Sequence, residues 1–117
     1  MSYKIVYYVS ILHDNPIKNY LDSISVKQQV KILRVLRYIQ EFGPSAVSNH
    51  IRKLTGTPLW EIRILGKDNM RLIYIIVIRN TVLLLHGFTK KSDKTPKNEL
   101  DLALQRYRDW RKRHGQD

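Results

Sequence analysis

The sequence predicts an α+β fold in which an antiparallel sheet packs on helices lying to one side of it. Three observations carry this expectation. Two stretches with helical spacing of apolar residues come early and back to back. Four strand-like segments then follow in succession, and a last amphipathic stretch closes the chain, giving the order β-α-α-β-β-β-β-α. Strands that follow one another directly pair antiparallel through short turns, whereas parallel pairs need a long crossover.

Tyr3–Val9 is β-branched and aromatic and reads as the first strand. Asn15-Pro16 supplies an N-cap and a proline at the first helical position, and Ile17, Tyr20, Leu21 and Ile24 follow at the spacing of one helical face. Ser25 to Gln28 has the capping-box pattern that opens a second helix. Its apolar positions Val26, Val30, Leu33, Leu36 and Ile39 run to Phe42, where Gly43-Pro44 stops it, so the two helices should form an antiparallel hairpin. After a polar loop, Ser45–His50, Ile51–Leu54 reads as a short strand before the turn Thr55–Pro58. Leu59–Leu65 alternates cleanly, with Trp60, Ile62 and Ile64 on one side and Glu61 and Arg63 on the other. Arg71–Ile78 and Thr81–Phe88 are two more strands around a two-residue Arg79-Asn80 turn. A basic loop, Thr89–Lys94, leads to Thr95-Pro96 as a second cap-plus-proline start. Leu100, Ala103, Leu104, Tyr107 and Trp110 then line the last helix.

The chain has 117 residues, and its 43% hydrophobic content is enough for a core, so one domain spanning 1–117 is expected. Cysteine is absent, which excludes disulfides, thiol nucleophiles and cysteine-ligated zinc or iron–sulfur sites. The four histidines are scattered without ligand spacing, and no phosphate-binding glycine loop is present, so no metal and no cofactor is expected. The opening residues lack a signal-peptide pattern, and no run approaches the length of a membrane span, which leads to a cytoplasmic expectation. Lys and Arg number 21 against 10 Asp and Glu, a net charge of +11. A surplus of this size favours a polyanionic partner, chiefly nucleic acid.

Strand parity indicates which polar side chains meet. A two-residue turn at Arg79-Asn80 pairs Arg71 with Phe88 and Ile73 with His86, and puts Tyr74 and Ile76 against Leu85 and Leu83. A three-residue loop, Lys67–Asn69, sets Trp60, Ile62 and Ile64 beside Leu72, Tyr74 and Ile76 in the core. The opposite face then collects Glu61, Arg63, Arg71, His86 and Phe88, with Lys90 and Lys91 just beyond its edge. Arginines hold phosphate in bidentate fashion and an aromatic ring stacks on a base, so this patch suits RNA. The same groups supply what attack of a 2′-hydroxyl on its phosphate needs, namely a base, a proton donor and cations for the developing charge. Glu61 with Arg63 also reads as a plain surface ion pair, and His86 as a hydrogen-bonded structural residue. Arg71 is harder to explain away, because an arginine within an apolar strand needs a partner or a pocket. The cations of the last helix, Lys112 among them, read as a polar face.

The stretch KLTG (Lys53–Gly56), LWEIRI (Leu59–Ile64), MRLIYIIV (Met70–Val77) and LLLHGFTKKSDKTP (Leu83–Pro96) resembles the RelE/HigB toxins of bacterial type II toxin–antitoxin modules, in particular the phage-derived HigB-like branch. The resemblance implies a RelE-like fold and cleavage of messenger RNA, commonly on the translating ribosome and without a metal, which inhibits translation. It implies catalytic roles for Arg71 as the phosphate-stabilising residue and for Arg63 and Lys91 as the other basic positions. Glu61 stands where RelE has a lysine, and Lys97 where RelE has its C-terminal tyrosine, so Glu61 and His86 are both candidates for the general base. Lys53, Phe88, Lys90 and Lys94 are the candidate RNA-binding residues. A small antitoxin with a helix-turn-helix domain is the implied partner. The alternatives are a ParE-like gyrase inhibitor and a non-catalytic basic RNA-binding module.

Overall fold

Asn15 and Ser25 begin the two N-terminal helices as their sequence contexts require. In the computed structural model, which describes residues 2–64, 66–91 and 95–115, α1 spans Pro16–Ser23 and the Asn15 side chain accepts from the Lys18 N–H. The second helix, α2, spans Val26–Phe42 with a complete capping box between Ser25 and Gln28. It ends at Gly43, whose φ of 87° is the left-handed conformation that glycine adopts freely. A kinked 3₁₀ segment, Pro44–His50, leads into the strands.

The sheet has five strands, β1 (Lys4–Tyr7), β2 (Ile51–Lys53), β3 (Trp60–Ile64), β4 (Met70–Val77) and β5 (Thr81–Thr89), in the spatial order β1-β5-β4-β3-β2. Strands β2 to β5 form the expected antiparallel series, but β1 lies parallel to β5, so the sheet is mixed. The helical hairpin carries the chain away from β1 to the far edge of the sheet, and the meander returns to β1 in the same direction. No helix among the described residues is long and apolar enough to cross a membrane.

Helices cover both faces, which overturns the one-sided arrangement. On one face Ile62, Ile64, Met70, Leu72, Tyr74, Val82 and Leu84 pack against Ile17, Ile32, Leu36 and Ile39 of the hairpin. On the other, Ile73, Ile75, Val77, Leu83, Leu85 and Phe88 pack against Ala103, Leu100, Leu104, Tyr107 and Trp110 of α3 (Lys97–His114). The central strands are apolar at successive positions because they are buried twice, so their sequence does not alternate.

Two register departures accompany this. The β4–β5 loop holds three residues, Ile78–Asn80, with Arg79 and Asn80 at positive φ, and a bulge follows at Ile73/Tyr74 opposite Leu85. Tyr74 and Ile76 therefore pair with Leu84 and Val82, not with Leu85 and Leu83, which face α3. The two offsets cancel beyond the bulge, so Arg71↔Phe88 and Ile73↔His86 stand as expected. Likewise Ile64 pairs with Met70, a register two residues from the expected one that preserves the face of every side chain. Gln28 and Lys31 of α2 hold this loop through Asp68, whose carboxyl they keep below its ordinary value. Ile62 and Ile64 are buried as expected, whereas Trp60 is 37% exposed and Ile76 39%, because the hairpin does not reach that end of the sheet. Trp60 is thus not a core anchor. Along α2 the buried stripe is Ile32, Leu36 and Ile39, and Val26, Val30 and Leu33 face outward.

Gly87 lets α1 approach β5. A Cβ there would stand 2.5 Å from the Tyr20 ring and 3.0 Å from Leu72. The third helix is held by polar contacts at both ends. Tyr8 donates to Asp109 at 2.6 Å, and Arg113 donates to Asp109 and to the Val9 carbonyl. Arg106 donates to the Leu85 carbonyl at 3.0 Å and to His86 Nδ1 at 2.8 Å, while His86 Nε2 meets Glu99 at 2.7 Å. A guanidinium only donates, so Nδ1 is the acceptor and Nε2 carries the proton given to Glu99. Thr95 does not cap α3; Pro96 occupies the cap position and no side chain caps the helix.

Two outcomes follow from this packing. Gly87→Ala should destabilise the fold by about 1–3 kcal/mol, as overpacking does, and adding Tyr20→Ala should recover part of that loss in urea unfolding; additive effects would separate the two sites. Burial pushes the His86 imidazole below its ordinary value, the bond to Glu99 pulls it back up, and Arg106 pushes it down again. The folded state therefore favours the neutral ring. Stability should be full above the unfolded value of about 6.5 and fall as the pH drops through it. His86→Gln should flatten this dependence in unfolding curves taken across that range.

Candidate functional site

Register fixes two rows of side chains on the α3 face of the sheet. Phe88, Arg71 and Arg63 form one row across β5, β4 and β3. His86, Ile73, Glu61 and Arg52 form the next, extending to β2. Alternation along β3 places Glu61 and Arg63 on this face because Ile62 and Ile64 occupy the other.

Glu61 is fully buried and Arg71 is 9% exposed. Arg71 Nε lies 3.8 Å from Glu61 Oε1, close enough for an ion pair and too far for a hydrogen bond. Arg71 Nη1 donates to the Met70 carbonyl at 3.0 Å. The Thr95 hydroxyl donates to Glu61 Oε2 at 2.7 Å. Among the described residues, Glu61 Oε1, Arg63 Nε and Arg71 Nε are buried without a hydrogen-bond partner. Buried polar atoms in that state are uncommon and call for an explanation. Burial pushes the Arg71 guanidinium below its ordinary value, Glu61 offsets this, and Arg63 and Arg52 push it further down. It stays a cation, since arginine does not lose its proton in proteins.

The other expected residues divide. Phe88 is buried and stacks on His86 with ring centroids 5.4 Å apart. His86 is 8% exposed and spends both ring nitrogens on α3, so neither is open to take a proton in this geometry. Lys90 is buried, with its backbone N–H on the Asn69 carbonyl, and Lys91 is exposed. Lys53 is not brought to the cluster. It stands opposite Trp60 on the other face, with Nζ on the Thr57 carbonyl and 5.3 Å from the Trp60 ring centroid. Lys94 lies outside the described residues.

Three neighbours of the cluster escape a reading from sequence. Arg52 was legible in principle, since the pairing of β2 with β3 puts it opposite Glu61. Thr95 carries a helix-start signal that points elsewhere, and Arg106 looks like any polar residue of an amphipathic helix. Arg52, Arg63 and Arg71 against Glu61 leave a surplus of two positive charges. Arg63 stands directly opposite Arg71 and neither Nε has a hydrogen-bond partner among the described residues, so the pair has donors to offer an anion.

No curated protein matches the chain at a significant level. A family model described as "Phage derived protein Gp49-like (DUF891)" matches residues 19–108, which run from within α1 to within α3 and include the cluster just described. The chain belongs to this Gp49-like family of phage-derived proteins, a family that includes RelE-like toxins of toxin–antitoxin systems.

Proposed function

We propose that the chain is the toxin of a type II toxin–antitoxin module, of the HigB-like branch with a RelE-like fold, and that it stops translation by cleaving messenger RNA. The observation that carries this reading is the Arg63–Arg71 pair, two arginines at directly opposed strand positions whose buried Nε atoms have no hydrogen-bond partner among the described residues. Like charges at opposed positions cost stability, and a phosphate between them removes that cost.

In this reading the message lies with its reactive phosphate on Arg63 and Arg71, and Lys91 adds charge from the rim. The 2′-oxygen bonds to phosphorus as it gives up its proton, the bond to the 5′-oxygen breaks, and the departing 5′-oxygen takes a proton from solvent, which gives a 2′,3′-cyclic phosphate and a 5′-hydroxyl. A phosphodiester carries one negative charge and the phosphorane carries two. The surplus of two positive charges therefore matches the transition state better than the ground state, which is what acceleration requires. Phosphate draws the Arg71 guanidinium from Glu61 Oε1 and leaves that oxygen to accept the 2′ proton. His86, with both nitrogens engaged, serves as a strut under Phe88. The partner in this reading is a small antitoxin with a helix-turn-helix domain, and the ribosome presents the message.

Arg71→Ala should slow single-turnover cleavage of a bound message by about 10²–10³, or about 3–4 kcal/mol. Because that change strands the buried Glu61 carboxylate, Arg63→Ala provides a second reading with less risk to folding. Lys112→Ala, on the exposed face of α3, should do far less. Near-wild-type cleavage by both variants, folded by circular dichroism, would remove the pair from the chemistry. In cells, expression without an antitoxin should arrest growth with loss of intact transcripts; arrest with intact transcripts and collapsed DNA supercoiling would point to a gyrase inhibitor instead.

A further inference from the structure

On the hairpin face of the sheet, behind the arginine pair, lies a cavity of about 400 Å³ lined by Lys31, Arg34, Tyr38, Asn49 and His50 over a floor that includes Ile64. We infer that this cavity is a second RNA subsite, which takes a nucleotide beyond the trinucleotide that holds the reactive phosphate, once the strand has passed round the edge of β3, with its base on Tyr38 and its phosphate on Arg34. The inference rests on the RNA-cleaving reading above and adds a place for the chain of the substrate.

Four observations support it. First, the cavity and the site share a stretch of β3: the His50 side chain bonds through Nδ1 to the main-chain carbonyl of Arg63 at 2.9 Å, so the two meet at one residue from opposite faces of the sheet. The carbonyl accepts, so Nδ1 is the donor in this bond. Second, no carboxylate lines the cavity. Lys31 is paired with Asp68 and Arg37 with Glu41, whereas Arg34 is exposed and has no ion-pair partner among the described residues. Third, Tyr38 is 51% exposed, so much of its ring is open to a base. Fourth, Arg34 and Tyr38 are four residues apart on α2 and so stand side by side on its outer face. An exposed ring next to an unpaired guanidinium is the chemistry that holds single-stranded nucleic acid, by stacking on the base and neutralising the phosphate.

The test uses mixed-sequence RNA with every 2′-oxygen methylated, which removes the nucleophile and allows binding to be read by fluorescence anisotropy. Tyr38→Ala should weaken binding of a long oligonucleotide about tenfold, and Tyr38→Trp should retain it. Arg34→Ala should weaken it as well and reduce the slope of log affinity against log salt by about 0.7, the share of one phosphate on a single strand. A trinucleotide, too short to occupy both places, should bind all the variants as it binds the wild type. If the wild-type chain binds neither RNA, the subsite and the RNA-cleaving reading fall together. If it binds the long RNA and the variants bind equally well, the subsite alone is overturned. A defect confined to ribosome-bound cleavage, with free RNA bound normally, would also overturn it and assign this face to ribosomal RNA.

Discussion

Strand β5 has a strand on each side and a helical layer on each face, so nearly every residue along it has to suit a buried position. Between Leu84 and His86 it carries one residue more than β4 does. At that bulge Leu85 and His86 both turn toward α3, which joins two segments of opposite parity. On the Thr81 side of it, Leu83 faces α3 and Val82 and Leu84 face the hairpin; on the Thr89 side, His86 and Phe88 face α3 and Gly87 lies under Tyr20. Without the extra residue, one of the two segments would present its side chains to the wrong layer. The apolar floor for α3 and the placement of Phe88 beside Arg71 both depend on it.

The far end of the same face holds charges that the core does not need. Arg63 and Arg71 stand directly opposite each other, and each has a buried N–H with no hydrogen-bond partner among the described residues. An unsatisfied buried donor costs about 1–3 kcal/mol. Glu61 compensates only in part, since the 3.8 Å separation forgoes a hydrogen bond and a buried ion pair is weak evidence for stability. Local consistency between sequence and structure is high along the strands and fails at these three residues. Such failures are expected where function, and not folding, sets the residue.

Much of this was legible from the residues in order. The Asn15 cap, the Ser25–Gln28 box and the Gly43 stop are local signals that act over a few residues, and each operates as its type predicts. The alternation of β3 separated Ile62 and Ile64 from Glu61 and Arg63 because β3 is buried by different chemistry on its two faces. What was not legible is long-range. The runs in β4 and β5 are apolar on both faces, so parity alone could not say that α3 covers one of them. The loop at Ile78–Asn80 and the bulge at Leu85 each shift the register by one, and only their cancellation kept Arg71 opposite Phe88. On α2 two apolar stripes compete, and the one with Ile32, Leu36 and Ile39 is buried because the sheet lies on that side. The bonds from Thr95 to Glu61 and from Arg106 to His86 join elements distant in sequence and leave no periodic trace.

Those last bonds tie the fold to the candidate site. Thr95, just before α3, holds Glu61 Oε2, and Glu99, in the first turn of α3, holds His86. The N-terminal end of the helix is thus fastened to both polar rows, while Leu100, Leu104, Tyr107 and Trp110 fasten the rest to hydrocarbon. Glu61 is fully buried, with Thr95 at the head of this helix bonded to it. In water a carboxylate 3.8 Å from a guanidinium contributes little field, and in a dry setting the same pair acts several-fold more strongly. The apolar contacts of α3 therefore set the electrostatic strength of the Arg71 site without touching it. A substitution that loosened the helix at Ala103 or Leu104 would weaken the charges at the opposite end of the face by admitting solvent.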